Sequence, residues 1–475
     1  MPDPRTSTIG RARQVLALRP FRRLWMVTGF CSSADWLSLL ALAALAGLLA
    51  SSETGANAAF SSVLFANLLP GLLFAPIGGL LADRFNRRVI MVVADLVRAG
   101  LLLSIVLVGS YWWIFAGTFL VQAATIMWIP SKDAALPNLL RRPAQMESAT
   151  QLGLVMTYGV AVLVGGGLFT LITGAGTTLG VPPEVLDAVG LTKIAVVLAA
   201  LLYLTSAMII ATALPELSQR PAQAVPEHDD PANTAGTQTA AAGGPNAVRM
   251  LRDSAAYIRG TPLVRGLLVG MMGAFAAGGA IVGTAQTYAL SLLGGQAAFG
   301  LLLLSIFAGL VVGLVGVSRL ARRLSHERVF GIAIVSAGIG LVPVAFSPHL
   351  AFSMLAVALV GACAGMAFLT GTTIIGSRVE DAMRGRINAL YQSMLKVVAG
   401  CSVAVAPLLV TLVRPRTLTL WDTTMIIDGT RPVILGGGIL AAVVGVIAYR
   451  QMSTPRQVAP EAVTGADSPD PTRTP

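Results

Sequence analysis

The sequence predicts an all-α membrane protein with twelve transmembrane helices in two six-helix, pseudo-symmetric bundles. Three observations lead to this prediction. Of 475 residues, 55% are apolar and only 12% are charged, whereas about a quarter of the residues in soluble proteins are charged. The apolar residues form runs of about 20, the length that a helix needs to cross the hydrocarbon core of a bilayer. The basic residues form short clusters between these runs, which indicates membrane orientation and not nucleic-acid binding.

Twelve apolar runs are interpreted as transmembrane helices, because an isolated run satisfies its backbone polar groups in lipid only as a helix. Most of the 33 Lys and Arg residues fall between runs on the side that this count assigns to the cytoplasm, whereas Arg414, Arg416 and Arg431 fall outside. The bias predicts a multi-pass plasma-membrane protein with both chain ends in the cytoplasm. The predicted runs are about 24–50, 58–82, 89–109, 111–131, 150–174, 191–214, 264–290, 297–319, 328–347, 350–376, 388–412 and 432–450.

The chain divides into two halves at a stretch rich in Pro, Ala, Thr and Gly, which predicts a flexible cytosolic linker. The predicted divisions are a cytosolic N-terminal segment at 1–23, a six-helix bundle at 24–214, the linker at 215–263, a second six-helix bundle at 264–450 and a disordered cytosolic tail at 451–475. Close helix contacts are expected at Gly165–Gly167, at Gly278 and Gly279, and at Gly361 and Gly365, because small residues let helix backbones approach.

The residue types and spacings of common enzyme sites are missing from the sequence. It contains no G-x-x-x-x-G-K-[ST] phosphate loop and only three His. Cys31, Cys363 and Cys401 each lie inside an apolar run, without the spacing of metal ligands. We therefore predict that the protein is not an enzyme and that it needs no cofactor, metal ion or nucleic-acid partner.

A few ionisable residues lie inside the predicted spans, where a charge is costly unless it is paired, hydrated or neutralised. Asp35 is about eleven residues into the first span and so near the bilayer midplane. A lone acid at this depth either binds and releases a proton or serves as a structural acid. Asp95 and Arg98 are three apart on one face of the third span. They either form an ion pair that ties this helix to the preceding loop or take part in transport. All three are proton-coupling candidates.

The segment Gly78–Arg88 reads GGLLADRFNRR and lies between the second and third spans. It resembles the signature loop of the major facilitator superfamily, a family of secondary transporters built from two six-helix bundles. The resemblance implies that Asp83 and Arg87 belong to a latch that holds the outward-open state. In the corresponding segment of the second half, Arg322 stands where this acid would fall. The candidate latch residues are Gly79, Asp83, Arg84, Arg87 and Arg88, together with Glu380, Arg384 and Arg386 from the cytoplasmic cluster after the tenth span.

The same resemblance implies that the first, fourth, seventh and tenth helices line the transport pathway. Gln122, Gln286 and Thr370 are therefore candidates for the substrate cavity. Lys396 in the eleventh span is a further candidate. It attracts an anionic substrate, pairs with an acid on another helix, or extends to the cytoplasmic surface.

Four stretches narrow the resemblance within the superfamily. They look like the macrolide-efflux and enterobactin-exporter branch of the drug-proton antiporters, and most like the membrane half of actinobacterial transporters fused to a thymidylate kinase, over about residues 15–452. The kinase phosphate loop is missing here. The stretches are FRRLWMVTGFCSSADWLSLLALAALAGLL, WIPSKDAALPNLL, TPLVRGLLVGMMGAFAAGGAIVGTAQTYALSLLGG and RVEDAMRGRINALYQS.

These features together predict a monomeric secondary transporter that works by alternating access. Its expected partners are a small-molecule substrate, protons and membrane lipids. The preferred function is proton-coupled export of a hydrophobic or amphipathic small molecule, such as a drug or a siderophore. Transport of a lipid, a lysolipid or an organic anion is an alternative, and a non-transporting membrane scaffold or receptor is a second one.

Overall fold

Within the residues that it describes, a computed structural model of the protein shows twelve long helices. It describes residues 13–50, 53–74, 86–140, 145, 148–149, 152–153, 155–178, 187–218, 256–292, 295–320, 324–379, 381–413, 416–420, 423–427 and 429–453. The helices are α1 (Arg19–Leu48), α2 (Glu53–Leu73), α3 (Arg87–Val108), α4 (Tyr111–Leu139), α5 (Ala161–Thr178), α6 (Ala188–Ala213), α7 (Pro262–Ser291), α8 (Gly295–Leu320), α9 (His326–Phe346), α10 (Leu350–Arg378), α11 (Asp381–Thr411) and α12 (Thr430–Ser453). A π-helical turn at Met156–Val160 precedes α5, and a 3₁₀ turn at Pro215–Ser218 follows α6.

Each predicted span coincides with one of these helices. Within the described residues, nine helices are long and apolar enough to cross a membrane. The apolar parts of α2, α5 and α11 are shorter, at Ala58–Gly71, Ala161–Gly174 and Val397–Val410. The order and number of the helices therefore follow the apolar runs of the sequence. The boundaries of the predicted domains stay predictions, since most of the linker and the tail lie outside the described residues.

Several helix ends differ from the predicted ones. Helix α1 starts at Arg19, five residues before the predicted span, with Pro20 in its first turn, where a missing backbone N–H costs nothing. Helix α4 continues to Leu139 and so includes Lys132, which was expected in a loop. Helix α11 starts at Asp381, seven residues early. Polar residues at these ends extend the helices beyond the apolar runs, because backbone hydrogen bonding continues where the side chains reach water.

A β-hairpin lies between α11 and α12, in a segment for which no strand was predicted. Strand β1 (Arg416–Leu420) pairs antiparallel with β2 (Thr423–Ile427), with Leu418 opposite Met425. The segment RTLTLWDTTMII alternates Thr with larger apolar residues around a two-residue connection, which is typical of a hairpin. The hairpin leaves the helical fold of the spans unchanged.

The two halves of the chain meet through one large apolar core. The helices run alternately up and down, so the start of α1 and the end of α12 lie on the same side of the protein. We call this side the terminal face and the opposite side the far face. Near the far face, Phe299 of α8 packs edge-on against Phe60 of α2 and Phe169 of α5, with ring centroids 5.3 and 6.0 Å apart. Ser61 there donates a hydrogen bond to the Gly283 carbonyl at 3.1 Å. These contacts hold the halves together at the far face.

Glycines set the closest helix crossing, between α8 and α10. A methyl group at Gly309 or Gly313 would overlap the carbonyl of Ala358 or Ala362. Reciprocally, methyl groups at the two predicted contact glycines of α10, Gly361 and Gly365, would overlap carbonyls of α8. Of the other predicted glycines, Gly165 and Gly279 also face a neighbouring backbone, whereas Gly167 and Gly278 have open space beside them. The close contacts predicted at Gly361 and Gly365 are thus confirmed, whereas only part of the other predicted glycines make one.

We expect Gly313→Ala to destabilise the protein by about 2 kcal/mol or more, because the added methyl group forces α8 and α10 apart. Thermal unfolding of the purified protein measures this. Gly316→Ala in the same helix is the matched control, since nothing lies within 4 Å of its new methyl group. It should be neutral or stabilising through its better helix propensity. Equal stability of the two variants would contradict the close crossing.

Candidate functional site

A buried guanidinium joins two carboxylates in the middle of the N-terminal half. Arg98 of α3 places Nη1 3.2 Å from Oδ1 of Asp35 on α1. Its Nη2 contacts Oδ1 of Asp95, which lies one turn earlier on the same helix. Asp35 is therefore not the lone acid expected from the sequence. Through Arg98, the Asp95–Arg98 pair connects α3 to the neighbouring helix α1; the predicted tie to the preceding loop falls on residues 75–85, outside the described residues, and stays a prediction.

Hydroxyl groups of α6 hold the two carboxylates from the other side. Tyr203 donates a hydrogen bond from its hydroxyl to Oδ1 of Asp35 at 2.5 Å. One turn later, Ser206 donates to Oδ2 of Asp95 at 2.7 Å. Their spacing of three places both hydroxyls on one face of the helix. Helix α6 therefore fixes the orientation of each acid relative to Arg98.

Two aromatic rings and two further side chains complete the surroundings of Arg98. Its guanidinium carbon lies 4.4 Å from the centroid of the Tyr203 ring and 5.6 Å from that of Trp128 on α4. Nη1 also donates to Thr125 Oγ1 at 3.3 Å, and Nη2 donates to Cys31 Sγ at 3.2 Å. Four helices, α1, α3, α4 and α6, thus converge on one cation. We call Asp35, Asp95, Arg98, Tyr203 and Ser206 the charge cluster.

The charge cluster holds one more carboxylate than it has cations. Arg98 and Asp95 have fully buried side chains, whereas the side chain of Asp35 is 31% exposed. With both acids ionised, the cluster carries one uncompensated negative charge at membrane depth, which is costly. One bound proton makes the cluster neutral. Of the two acids, only Asp35 reaches solvent.

Asp35 reaches a cavity of about 360 Å³ between α1, α4 and residues 149–157. Apolar side chains form most of its wall, with Phe21 and Leu136 toward the terminal face. Thr28, Ser32 and Thr157 add hydroxyl groups near Asp35. Lys132 and Asp133, an ion pair at 3.2 Å, also line the cavity. The volume of the cavity is within the range of small-molecule pockets.

The other predicted cavity residues lie apart from this cavity. Gln122 of α4 accepts a hydrogen bond from Asn67 of α2 at 3.3 Å. Gln286 is buried toward the far face, beside Gly47 of α1. Thr370 is fully buried and donates to the Met366 carbonyl of its own helix at 2.6 Å. The side chain of Lys396 lies outside the described residues. These substrate roles stay predictions.

The predicted latch lies mostly beyond the described residues. Gly79, Asp83, Arg84 and Glu380 are not described, and Arg384 and Arg386 are described only as backbone in the first turns of α11. Arg87 starts α3. Arg88 donates to the carbonyls of Ile210, at 3.2 Å, and of Ala211, so it binds the end of α6 in its own half. A latch role for these residues also stays a prediction.

Sequence reasoning did not single out Tyr203, Ser206, Cys31, Thr125 or Trp128. Their residue types are ordinary in membrane helices. Cys31 and Trp128 do fall in stretches that carry the family resemblance, but that resemblance assigned them no role. In the described part of the chain no group of three or more His, Cys, Asp and Glu is placed to hold a metal ion.

Comparison with known proteins gives a family match over most of the chain. The sequence model described as Major Facilitator Superfamily matches residues 24–400 and, in a second match, 266–472. The chain is also similar to the uncharacterized MFS-type transporter YfiS of Bacillus subtilis (strain 168), with 31% identity over 109 residues. That match covers 23% of this chain and 25% of YfiS, so it spans about a quarter of the length of this curated relative.

Three solved structures share the fold. The nucleoside transporter NupG has a TM-score of 0.62 at 13% identity, over 92% of this chain and all of its own. A bacterial homolog of the human lysosomal transporter Spinster, inward-facing and unoccupied, has a TM-score of 0.66 at 12% identity, over 91% and 97% of the two chains. The transporter FucP in its outward conformation reaches 0.52 at 16% identity, over 92% and 99%. At these identities the similarity concerns the fold alone.

We expect Arg98→Gln to cost about 3–5 kcal/mol of stability, because it leaves two buried carboxylates without their cation. Adding Asp95→Asn to this variant should recover more than half of the loss, since one buried charge is removed with it. Thermal unfolding in detergent measures both variants. Arg328→Gln, at an exposed site, is the control and should have little effect. An Arg98→Gln protein as stable as the control would contradict the ion-pair geometry.

Proposed function

The chain belongs to the major facilitator superfamily, and from this premise we propose that it exports a hydrophobic or amphipathic small molecule in exchange for protons. Members of this family are secondary transporters, so the chain is a multi-pass membrane transporter and not an enzyme. The fold of this chain matches that of solved transporters, and the cavity described above lies within its N-terminal half. We thus propose three things: the substrate class, the coupling to protons and the direction of transport.

The charge balance of the buried cluster is the observation that supports proton coupling. Asp35 and Asp95 share the single cation Arg98, so one carboxylate stays uncompensated unless it binds a proton. Asp35 faces the cavity, whereas Asp95 is sealed by Ser206 and Arg98. A proton therefore enters the cluster at Asp35. A cation in the cavity would compensate the same charge and compete with that proton.

Protonation of Asp35 can affect the interface between the halves, because Asp35 is next to a residue of that interface. A neutral Asp35 loses its ionic attraction to Arg98, so the tie between α1 and α3 weakens. The next residue, Trp36, packs against Phe307 of α8, with ring centroids 4.9 Å apart. A shift of α1 at Asp35 is therefore passed to the other half of the chain. Proton binding thus biases the equilibrium between two arrangements of the halves.

The cavity walls and the family resemblance support the export of an amphipathic molecule. The lining is mainly aromatic and aliphatic, and one of its acids, Asp35, lies deep in the membrane. Part of the lining lies toward the terminal face, which the distribution of basic residues predicts to be cytoplasmic. An organic anion receives less support, because Arg98 is engaged by two acids and Lys132 by Asp133. A lipid could use the same apolar cavity. The flux assay described next distinguishes the two functions.

We expect Asp35→Asn to abolish transport driven by a pH gradient, because the amide neither binds nor releases the coupling proton. The assay measures the flux of erythromycin, a macrolide probe, in proteoliposomes with an imposed gradient. Asp187→Asn is the matched control. Asp187 accepts a hydrogen bond from the Gly190 N–H at the start of α6, and Asn caps a helix equally well. Gradient-driven flux retained by the Asp35 variant would remove this residue from the mechanism.

We expect Phe299→Ala to favour opening at the far face, because the substitution removes the ring that joins Phe60 and Phe169. Hydrogen exchange should become faster at the far ends of α2 and α8. Phe352→Ala, which shortens a half-exposed ring on α10, should leave exchange in these segments unchanged. Unchanged protection in both variants would show that the three rings do not hold the far face closed.

A further inference from the structure

The two oxygens of the Asp35 carboxylate have different surroundings. Oδ1 accepts a hydrogen bond from Arg98 Nη1 at 3.2 Å and another from the Tyr203 hydroxyl at 2.5 Å. Oδ2 accepts none from the described residues, and the partly exposed side chain lines the cavity. A proton that arrives through the cavity therefore adds to Oδ2, while Oδ1 stays bound to the protein.

The hydroxyl of Tyr203 is committed to this carboxylate. Tyr203 is fully buried on α6, and its hydroxyl donates to Asp35. A hydroxyl forms a stronger hydrogen bond with a carboxylate than with a neutral carboxylic acid. The bond therefore stabilises the ionised form of Asp35 more than the protonated form. The ring of Tyr203 has a separate contact, because its centroid lies 4.4 Å from the guanidinium carbon of Arg98.

The other groups that act on the charge of Asp35 are few. Within α2, which also packs against α1, residues 54–73 carry no titratable side chain. Residues 149–157 add the hydroxyl of Thr157 to the cavity and no charge. The titratable and charged groups around Asp35 are, by element, Cys31 on α1, Asp95 and Arg98 on α3, Lys132 and Asp133 on α4, and Tyr203 on α6. Removing the hydroxyl of Tyr203 thus leaves every charge of this group in place.

We propose that Tyr203 is a positioning residue of the proton site, whose hydroxyl weakens the binding of the coupling proton to Asp35 and so favours its release. The inference rests on the proposed proton coupling, because it concerns the same carboxylate. When a proton binds Oδ2, Oδ1 becomes the carbonyl oxygen of a neutral acid, and the hydrogen bond from Tyr203 weakens. The proton and the hydroxyl therefore oppose each other across one carboxyl group.

Tyr203→Phe tests the proposal, because it removes the hydroxyl and keeps the ring beside Arg98. Infrared difference spectroscopy of the full chain in lipid follows the carboxylic-acid band of Asp35 as the pH is lowered. We expect the pH at which this band is half-formed to rise by about one unit, which means that the proton binds about tenfold more tightly. The pH of half-maximal gradient-driven erythromycin flux should rise in parallel. A merely structural role would change the stability of the protein without this shift.

Tyr288→Phe is the matched control. Tyr288 is a buried tyrosine of the second half, and its hydroxyl donates to the Val344 carbonyl at 2.6 Å. The same substitution there should leave the half-formation pH of the Asp35 band unchanged. A half-formation pH that stays the same or falls in Tyr203→Phe would overturn the proposal, and so would an equal rise in Tyr288→Phe.

A second measurement decides if Tyr203→Phe does not fold. The wild-type protein is then labelled with tyrosine that carries carbon-13 at the hydroxyl-bearing ring carbon. A tyrosine C–O band must shift with the same pH dependence as the Asp35 band, and this shift must be missing from Asp35→Asn. A spectrum in which no tyrosine band follows Asp35 would overturn the proposal.

The two proposals fail in different ways. An unshifted Asp35 band in Tyr203→Phe, with gradient-driven flux that requires Asp35, removes only the role of Tyr203. Gradient-driven flux that persists in Asp35→Asn, with the band shifted in Tyr203→Phe, removes the proton coupling and leaves the effect of Tyr203 on proton binding. A wild-type protein without an Asp35 band removes both.

Discussion

The structure of the N-terminal half depends on one buried cation, the guanidinium of Arg98. A bare charge at membrane depth is unfavourable by several kcal/mol, so it is tolerated only where its surroundings compensate it. Asp35, Asp95 and two aromatic rings do so, and they come from four different helices. Satisfying this cation therefore fixes how α1, α3, α4 and α6 pack. Two carboxylates surround this one cation, and one of them, Asp35, lies beside the cavity.

The two halves use buried arginine in different ways. In the C-terminal half, Arg431 is the second residue of α12 and is almost fully buried, although the sequence suggested an external loop. Its Nη1 donates to the carbonyls of Ala345 and Ser347, both at 2.9 Å, at the end of α9. A cation is favourable at a helix C-terminus. Arg431 therefore joins α12 to α9 with backbone partners, whereas Arg98 has partners that can change their protonation.

The two halves also differ in where their buried polar groups lie. The acids and hydroxyls of the charge cluster all belong to the first half. Next to the cluster, Trp36 of the first half packs against Phe307 of the second. The tight α8–α10 crossing makes part of the second half a rigid body. If Asp35 exchanges a proton as we propose, the titratable group lies in the first half, and the tightly packed α8–α10 pair lies in the second.

The sequence predicted the helices well because long apolar runs and the placement of basic residues report directly on membrane crossing. It also singled out Asp35, Asp95 and Arg98, since charges within such runs are rare, and the structure brings the three together; their role in proton coupling stays a proposal. It could not show that Asp35 and Arg98 meet, because 63 positions separate them and only packing brings them together. Tyr203, Ser206 and Trp128 were missed for the same reason. Gln122 and Thr370 looked equally polar in the sequence, yet they bond to neighbouring helices or to their own backbone.

The proposed proton coupling depends on a proton that Asp35 binds and releases, while the other residues of the charge cluster keep their protonation. Infrared difference spectroscopy of the protein in lipid, recorded while the pH is lowered, observes this proton directly. We expect a carboxylic-acid band that grows on acidification, shifts in heavy water, and is missing from the Asp35→Asn protein. A band that is unchanged in Asp35→Asn, or a wild-type protein in which no such band forms, would contradict it.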